Sequence, residues 1–404
     1  MSDDKTTFLC DATAGPLTLT IPAPATIGPR WSCRVMKVDS TTNAVSIVGA
    51  NASTINNVAQ INLTSQFTEY EVFSSGSALY AVNLSGGTTG SVSGAVTLTP
   101  PFGRLSLVSG SAVMVADATS NIIYWVPYGG SSYPWYDGAS WHQRTPAQLS
   151  LTLDGASGHT GYHAPSTNFD LFLSAYTGGD LLVSGPAWSS DIARSASGTL
   201  VAQNGILVNS SSLNVKYGTT NATLGIPAYE ATYVGTFRTI TTAAYTAMLM
   251  NPAGASGGNQ GQLFLWNYYN RRLTRAACTD SGASYAYTSA TPRIARASAY
   301  NSVAFVSGLA EDAISGTFSY QFGLTAANHY ATQSLYLDGV AIGGRGQSQN
   351  GPYASNTSWS NMLTALVEKQ LGFHQLQMYE QADGTNATTF DQAASNNLTV
   401  NHWC

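Results

Sequence analysis

The chain is predicted to be all-β. Short apolar–polar alternations recur along its 404 residues, Gly, Pro, Asn and Asp clusters separate them, and a sustained helical stripe occurs once. The expected organisation is a small N-terminal β-domain (1–83), a Gly/Ser/Thr/Pro linker (84–102), a small β-module (103–154) and a C-terminal β-sandwich or jelly roll (155–404) with one short helix.

Residues 17–22 (LTLTIP) alternate apolar and hydroxyl side chains and end at a proline, as a half-buried strand does. Residues 32–39 and 44–48 follow the same rule about the Asp39-Ser40 turn, so 34–50 reads as a hairpin. Residues 61–64, 70–73 and 78–82 complete the domain. Residues 85–94 are then Gly, Ser, Thr and one Val, with no pattern to pack. In the module, 105–108, 122–126 and 149–153 read as strands, with turns at Gly129-Gly130 and Asp137-Gly138. The C-terminal strands are expected at 169–173, 181–183, 233–237, 262–266, 302–306, 316–322 and 375–380. Trp359, Met362, Leu363, Leu366 and Val367 form one apolar stripe at helical spacing. Ser358 or Ser360 is available to cap it and Gly372 to close it. No repeat of 20 to 50 residues and no heptad run is present.

Charged residues are only 9% of the chain, against roughly a quarter in an average domain, while 44% are hydrophobic. That balance predicts a folded protein with a neutral polar surface. The net charge of -5 argues against a nucleic-acid partner, which would demand a basic face. Arg271, Arg272, Arg275, Arg293 and Arg296 fall close together opposite Asp280, and the simpler reading pairs them with distant carboxylates. No apolar run approaches the roughly 18 residues of a spanning helix, so no membrane insertion is expected. Residues 1–5 lack the basic region and apolar core of a secretory signal.

Four cysteines, Cys10, Cys33, Cys278 and Cys404, show no metal-ligand spacing. Cys10 and Cys33 are a possible disulfide if they lie on neighbouring strands, and Cys404 is a possible inter-subunit thiol; buried reduced thiols are the default. His159 and His163 sit four apart near Asp154 and Asp170, but Gly155, Gly158, Gly161 and Pro165 forbid the helix that would align them. A loop bonded to its own backbone is the better reading. No GxSxG, Walker, dinucleotide or HExxH pattern occurs, so no catalytic residue, metal or cofactor is expected. The best candidate ligand contact is Trp266, Asn267, Tyr268, Tyr269, Arg271 and Arg272, where rings that suit sugar faces alternate with groups that suit hydroxyls. Tyr133, Trp135, Tyr136, Asp137 and Trp141 form a similar set; the alternative for both is that the rings fill a core or an interface.

The order of a strand into proline, RVMKVDSTTNAVSIVGA, an Asn/Thr segment, TSQFTEYEVFSSGSALYAV and a Gly-rich exit resembles the small N-terminal β-domains of tailed-bacteriophage tail-fibre and virion-attachment proteins. Residues 103–141, 150–163 with NFDLFL, and 185–194 (GPAWSSDIAR) are similar to a module of phage and prophage proteins from Gram-negative hosts. The resemblance implies a virion structural protein, made in the host cytoplasm and released by lysis. It would contact other virion proteins of tail, neck or head, and assemble as a homotrimer. Its expected function is that of a tail-fibre or receptor-binding subunit on a host surface glycan. The alternatives are a head, neck or collar decoration protein and, from another class, a glycan depolymerase.

Overall fold

The structure, a computed structural model, describes residues 6–84, 98–352, 357–391 and 396–404. It divides into two compact units, Met1–Gly94 and Ala95–Cys404. Among the described residues nearly every regular element is a strand, and the α-helix is confined to the four residues Pro24–Ile27. The expected linker falls largely on residues 85–97, outside the described residues.

In the first unit the alternating segments form two sheets. One runs Thr6–Cys10, Pro29–Lys37, Glu69–Ser75, Leu79–Asn83; the other runs Leu17–Ile21, Val45–Gly49, Gln60–Leu63. Thr6–Cys10 pairs parallel with Pro29–Lys37, and Leu17–Ile21 parallel with Val45–Gly49. The hairpin expected over 34–50 is therefore absent, because its two strands enter different sheets. Asp39 drives the departure: its carboxylate accepts the Ala12 amide at 2.7 Å and the Thr41 amide at 3.0 Å, and it takes the buried Lys37 ammonium. Val35, Val45, Ile47, Leu63, Val72 and Leu79 close the core.

The expected Cys10–Cys33 disulfide is also absent. The parallel register sets Cys33 against Thr6 and Cys10 against Lys37, four residues apart along the strand. That is roughly 13 Å at 3.3 Å per residue, beyond the ~7 Å Cα limit for a bridge. All four thiols are free and buried. Cys404 is 1% exposed, so it is not placed to reach another subunit.

In the second unit, Asn168–Ser174 and Thr232–Arg238 lie side by side and are buried at every position, which marks them as covered on both faces. Ile314–Leu324 and Gly372–Ala382 instead alternate buried and half-buried residues throughout, as does Asn396–Trp403 up to its exposed last residue. They belong to two sheets packed face to face, close enough that a Cβ on Gly316 would strike Leu376. Residues 103–154 do not form a module of their own. Leu105, Ile123, Trp125 and Leu151 share one core with Phe172, Tyr233 and Leu265, and Ala118–Ser120 pairs with Thr246–Leu249. Gly235 permits this closeness, since a Cβ there would clash with the Trp266 carbonyl and meet Leu105 at 2.6 Å.

The stripe read as a helix is the strand Thr357–Val367, paired with Ile314–Leu324 over eleven residues without a register shift. Trp359, Leu363 and Val367 are spaced by four, which suits one face of a strand as well as of a helix. Met362 and Leu366 break the tie. They point outward, 69% and 72% exposed, and a strand leaves them there.

Candidate functional site

The segment 262–266, expected as one strand, is two. Gly261–Leu263 pairs with Ser302–Ser307, while Leu265–Asn267 pairs with Thr232–Arg238 in a different sheet. Phe264 carries the switch, donating its amide to Ala247 and accepting the Arg238 amide. This switch drives Trp266 inward. Trp266 is 1% exposed and Asn267 3%, so neither can meet a polymer. Asn267 accepts the Leu105 amide at 2.6 Å and pins the neighbouring strand. Tyr269 is half-buried and its hydroxyl accepts the Leu207 amide at 3.4 Å; its ring crosses Tyr268 edge-on at 4.6 Å. Arg271 lies 5.3 Å from the Trp266 ring and is engaged by Glu311 at 2.9 Å and by Asp312. Arg272 is exposed and lines a cavity of about 210 Å³ with Arg104, Met248 and Met250. Of the rings expected to bind, Trp266 is core, and Tyr268 and Tyr269 are half-buried and pack against it.

Two further arginines of the cluster are committed to carboxylates, while Arg275 meets only the Thr399 hydroxyl, at 3.3 Å. Arg293 pairs with Glu380 at 2.8 Å and Arg296 with Asp280 at 2.8 Å. The 154–163 segment is the self-bonded loop expected. The Asp154 amide donates to His163 Nδ1 at 2.8 Å, His159 meets the Asp154 carboxylate at 2.9 Å, and the buried Lys216 ammonium lies 2.7 Å from it. Because His163 Nδ1 accepts, its proton sits on Nε2 and faces Ser184 at 2.8 Å, leaving no base to activate that serine. Asp170 is separate, held by the Arg194 fork at 2.6 and 3.1 Å and by the Thr236 hydroxyl. Burial pushes the Asp170 carboxyl up and the Arg194 charge opposes it.

A surface suited to ligand lies instead on the hairpin Tyr133–Tyr136 and Trp141–Arg144, whose strands pair only with each other among the described residues. Alternation splits its rings. Tyr133 points in, fully buried, with its hydroxyl on Asp180 at 2.8 Å, and Trp135 follows on that face, its indole donating to the Glu230 carbonyl at 2.9 Å. Trp135 sits 5.8 Å from the exposed His142 ring. On the opposite face the half-buried Tyr136 and Trp141 lie 5.5 Å apart. The Asp137–Gly138 turn joins the strands. The Asp137 carboxylate accepts the Ser140 amide at 2.7 Å, the His142 ring at 2.7 Å and the Ala139 amide at 2.8 Å, which together hold it well below the usual carboxylate range. Glu230 lies beneath this turn, and burial, then the Asp137 charge, pushes its carboxyl up. Nothing in its sequence surroundings, Ala228-Tyr229-Glu230-Ala231, marked it, because 93 residues separate it from Asp137.

Among the described residues no group of three His, Cys, Asp or Glu is arranged to hold a metal, and no helix is long and apolar enough to cross a membrane.

No family model matches the chain, and no curated protein matches its sequence. Among solved structures, dimeric latent PorU of Porphyromonas gingivalis is 8% identical over 62% of this chain and 22% of its own, with a TM-score of 0.24. The insecticidal delta-endotoxin Cry8Ea1 of Bacillus thuringiensis is 8% identical over 75% of this chain and 53% of its own, at 0.21. Infectious bursal disease virus, Gt strain, is 13% identical over 76% and 73%, at 0.24. The chain thus spans about a fifth of the first and half of the second, and likeness at these scores carries no argument about function.

Proposed function

We propose that this chain is a structural subunit of a tailed-phage virion that contacts a host surface polymer, as a tail-fibre or receptor-binding protein, without cleaving it. The resemblance of residues 17–82 and 103–194 supports the place in the virion. The hairpin supports the contact: Tyr136 and Trp141 present ring surface at 5.5 Å, and the exposed Gln143 follows Trp141 on the same face. Rings that stack on apolar sugar faces and polar groups that take hydroxyls are what a glycan site combines. Its partners are other virion proteins of the tail, neck or head and copies of itself, as a homotrimer. The strand Thr357–Val367 favours self-association, since it is long, unbulged and uncharged, and pairs on one side only among the described residues.

The test is host-cell or envelope-polysaccharide binding by the full chain. Trp141→Ala is expected to weaken binding by roughly 1 to 3 kcal/mol, by analogy with ring stacking elsewhere, at an unchanged melting temperature. Equal binding by Trp141→Ala and the parent chain would remove the hairpin from the proposal. Release of reducing ends from the polysaccharide would replace it with the depolymerase reading.

A further inference from the structure

The arginines that crowd residues 271–296 divide into two groups. Arg271, Arg293 and Arg296 each meet a carboxylate. Arg272 and Arg275 do not. Among the described residues no hydrogen bond or ion pair reaches the Arg272 side chain, and Arg275 touches only the Thr399 hydroxyl at 3.3 Å. These two line the cavity of about 210 Å³ together with Arg104, and no Asp or Glu lines it.

Arg104 is the buried member of the set. It is 6% exposed on the strand Gly103–Ser106, and its guanidinium donates to the carbonyls of Ala112 at 3.0 Å, Cys404 at 3.1 Å and Asn270. Those three bonds leave two of its five N–H groups unspent, and an amide carbonyl brings no charge to balance it. Counting the Cys404 oxygen as a full carboxylate still balances only one guanidinium of the three that line the cavity. Burial pushes the Arg104 guanidinium down from its ordinary value, and the Arg272 charge acts in the same direction. A buried cation held by neutral groups is costly until an anion reaches it.

The remaining wall selects among anions. Met248 and Leu265 are buried there, and Met114 and Met250 are half-buried. The Leu107 amide donates to the Met114 sulfur at 3.3 Å, and the Met250 amide donates to Asp117 at 2.7 Å, so both methionines are anchored. Inorganic phosphate would set a strongly hydrated ion against these thioethers. A carboxylate on a hydrocarbon chain suits both sides, because guanidinium forks match its planar oxygens and pliant thioethers pack its chain. The volume, about 210 Å³, is below the roughly 300 to 1,000 Å³ of a pocket for a larger ligand, so it fits a short chain.

The geometry points to a binding site for a short aliphatic carboxylate, its oxygens at Arg104 and Arg272 and its chain against Met114, Met248 and Met250. The site uses no residue of the Tyr133–Arg144 hairpin and does not rest on the polymer reading.

The experiment is an NMR titration of the full chain at neutral pH with hexanoate, its neutral counterpart hexanamide, acetate and inorganic phosphate. Hexanoate is expected to bind roughly tenfold more tightly than hexanamide or phosphate, the worth of one charged hydrogen bond. Acetate should bind more weakly than hexanoate, because it leaves the methionines uncovered, and Met250→Ala should narrow that gap. Arg272→Gln should cut hexanoate affinity roughly tenfold at an unchanged melting temperature, since the Arg272 side chain holds nothing else in the fold. Equal affinity for hexanoate and hexanamide, or undiminished hexanoate binding in Arg272→Gln, overturns the inference. So does phosphate binding as tight as hexanoate, which would leave a plain anion patch with no use for the methionines.

Discussion

Residues 266–272 and 133–144 both alternate rings with hydrogen-bonding side chains, yet Trp266 is 1% exposed and His142, Tyr136 and Trp141 remain open to solvent in whole or part. Composition does not separate them; connectivity does. Leu265–Asn267 adds to a strand buried on both faces, so its rings have cover above and below. The Tyr133–Arg144 hairpin pairs with itself alone, so only one of its faces finds a core. A ring stays open to solvent here when its strand runs out of neighbours.

The largest effect that separates the two regions is expected at Trp266. Trp266→Ala should cost roughly 3 to 5 kcal/mol in chemical denaturation, as truncation of a large buried aromatic does. Polymer affinity of the folded fraction should stay unchanged; a loss of affinity at full stability would make residues 266–272 the binding surface after all.

Acid should also strike the core before the hairpin. Burial depresses His402 to about 4, below its ordinary 6.5, while its Nε2 donates to the Val306 carbonyl at 3.2 Å and lies 3.4 Å from the Ser307 hydroxyl. The unfolded chain then binds more protons between those values. The neutral His402 contributes its full stability above pH 6.5 and loses it as pH falls toward 4, up to about 3 kcal/mol. Asp137, held low by its donors, stays ionised through that window. Melting temperatures across pH 4 to 7 should therefore fall on the acid side, and His402→Phe should flatten the slope. An unchanged slope would place the titration elsewhere.

The smallest effect is expected at the rim of the buried segment. Arg271 shares its charge with Glu311 and Asp312 at partly exposed positions. Arg271→Ala should cost about 1 kcal/mol or less in denaturant unfolding, as such pairs do. A cost near that of Trp266→Ala would mean the arginine is part of the core.

Strand positions were legible because alternation is local: 169–173 and 233–237 lie within Asn168–Ser174 and Thr232–Arg238, and 17–22 and 32–39 overrun Leu17–Ile21 and Pro29–Lys37 by one and two residues. Which sheet each strand joins was not. The turn after Lys37 depends on Ala12 donating to Asp39 from 27 residues away, and no hairpin rule contains that contact. The error at Trp359 and Val367 has a similar root, since a spacing of four fits both periods and only Met362 and Leu366 separate them. At the site, the Asp137-Gly138 turn and its rings were readable, whereas Glu230 was a lone acid in an unremarkable run. Its meaning comes from the strand Thr232–Arg238 that follows it and delivers it beneath the hairpin.

The four free cysteines carry a consequence for environment. Cys10, Cys33, Cys278 and Cys404 are buried apart from one another, and burial pushes the Cys33, Cys278 and Cys404 thiols up to about 11, so few thiolates exist to oxidise near neutrality. With no covalent crosslink in the described fold, its stability owes nothing to the redox potential around it. The same packing serves in a reducing cell interior and in an oxidising medium, and passage between the two asks for no rearrangement.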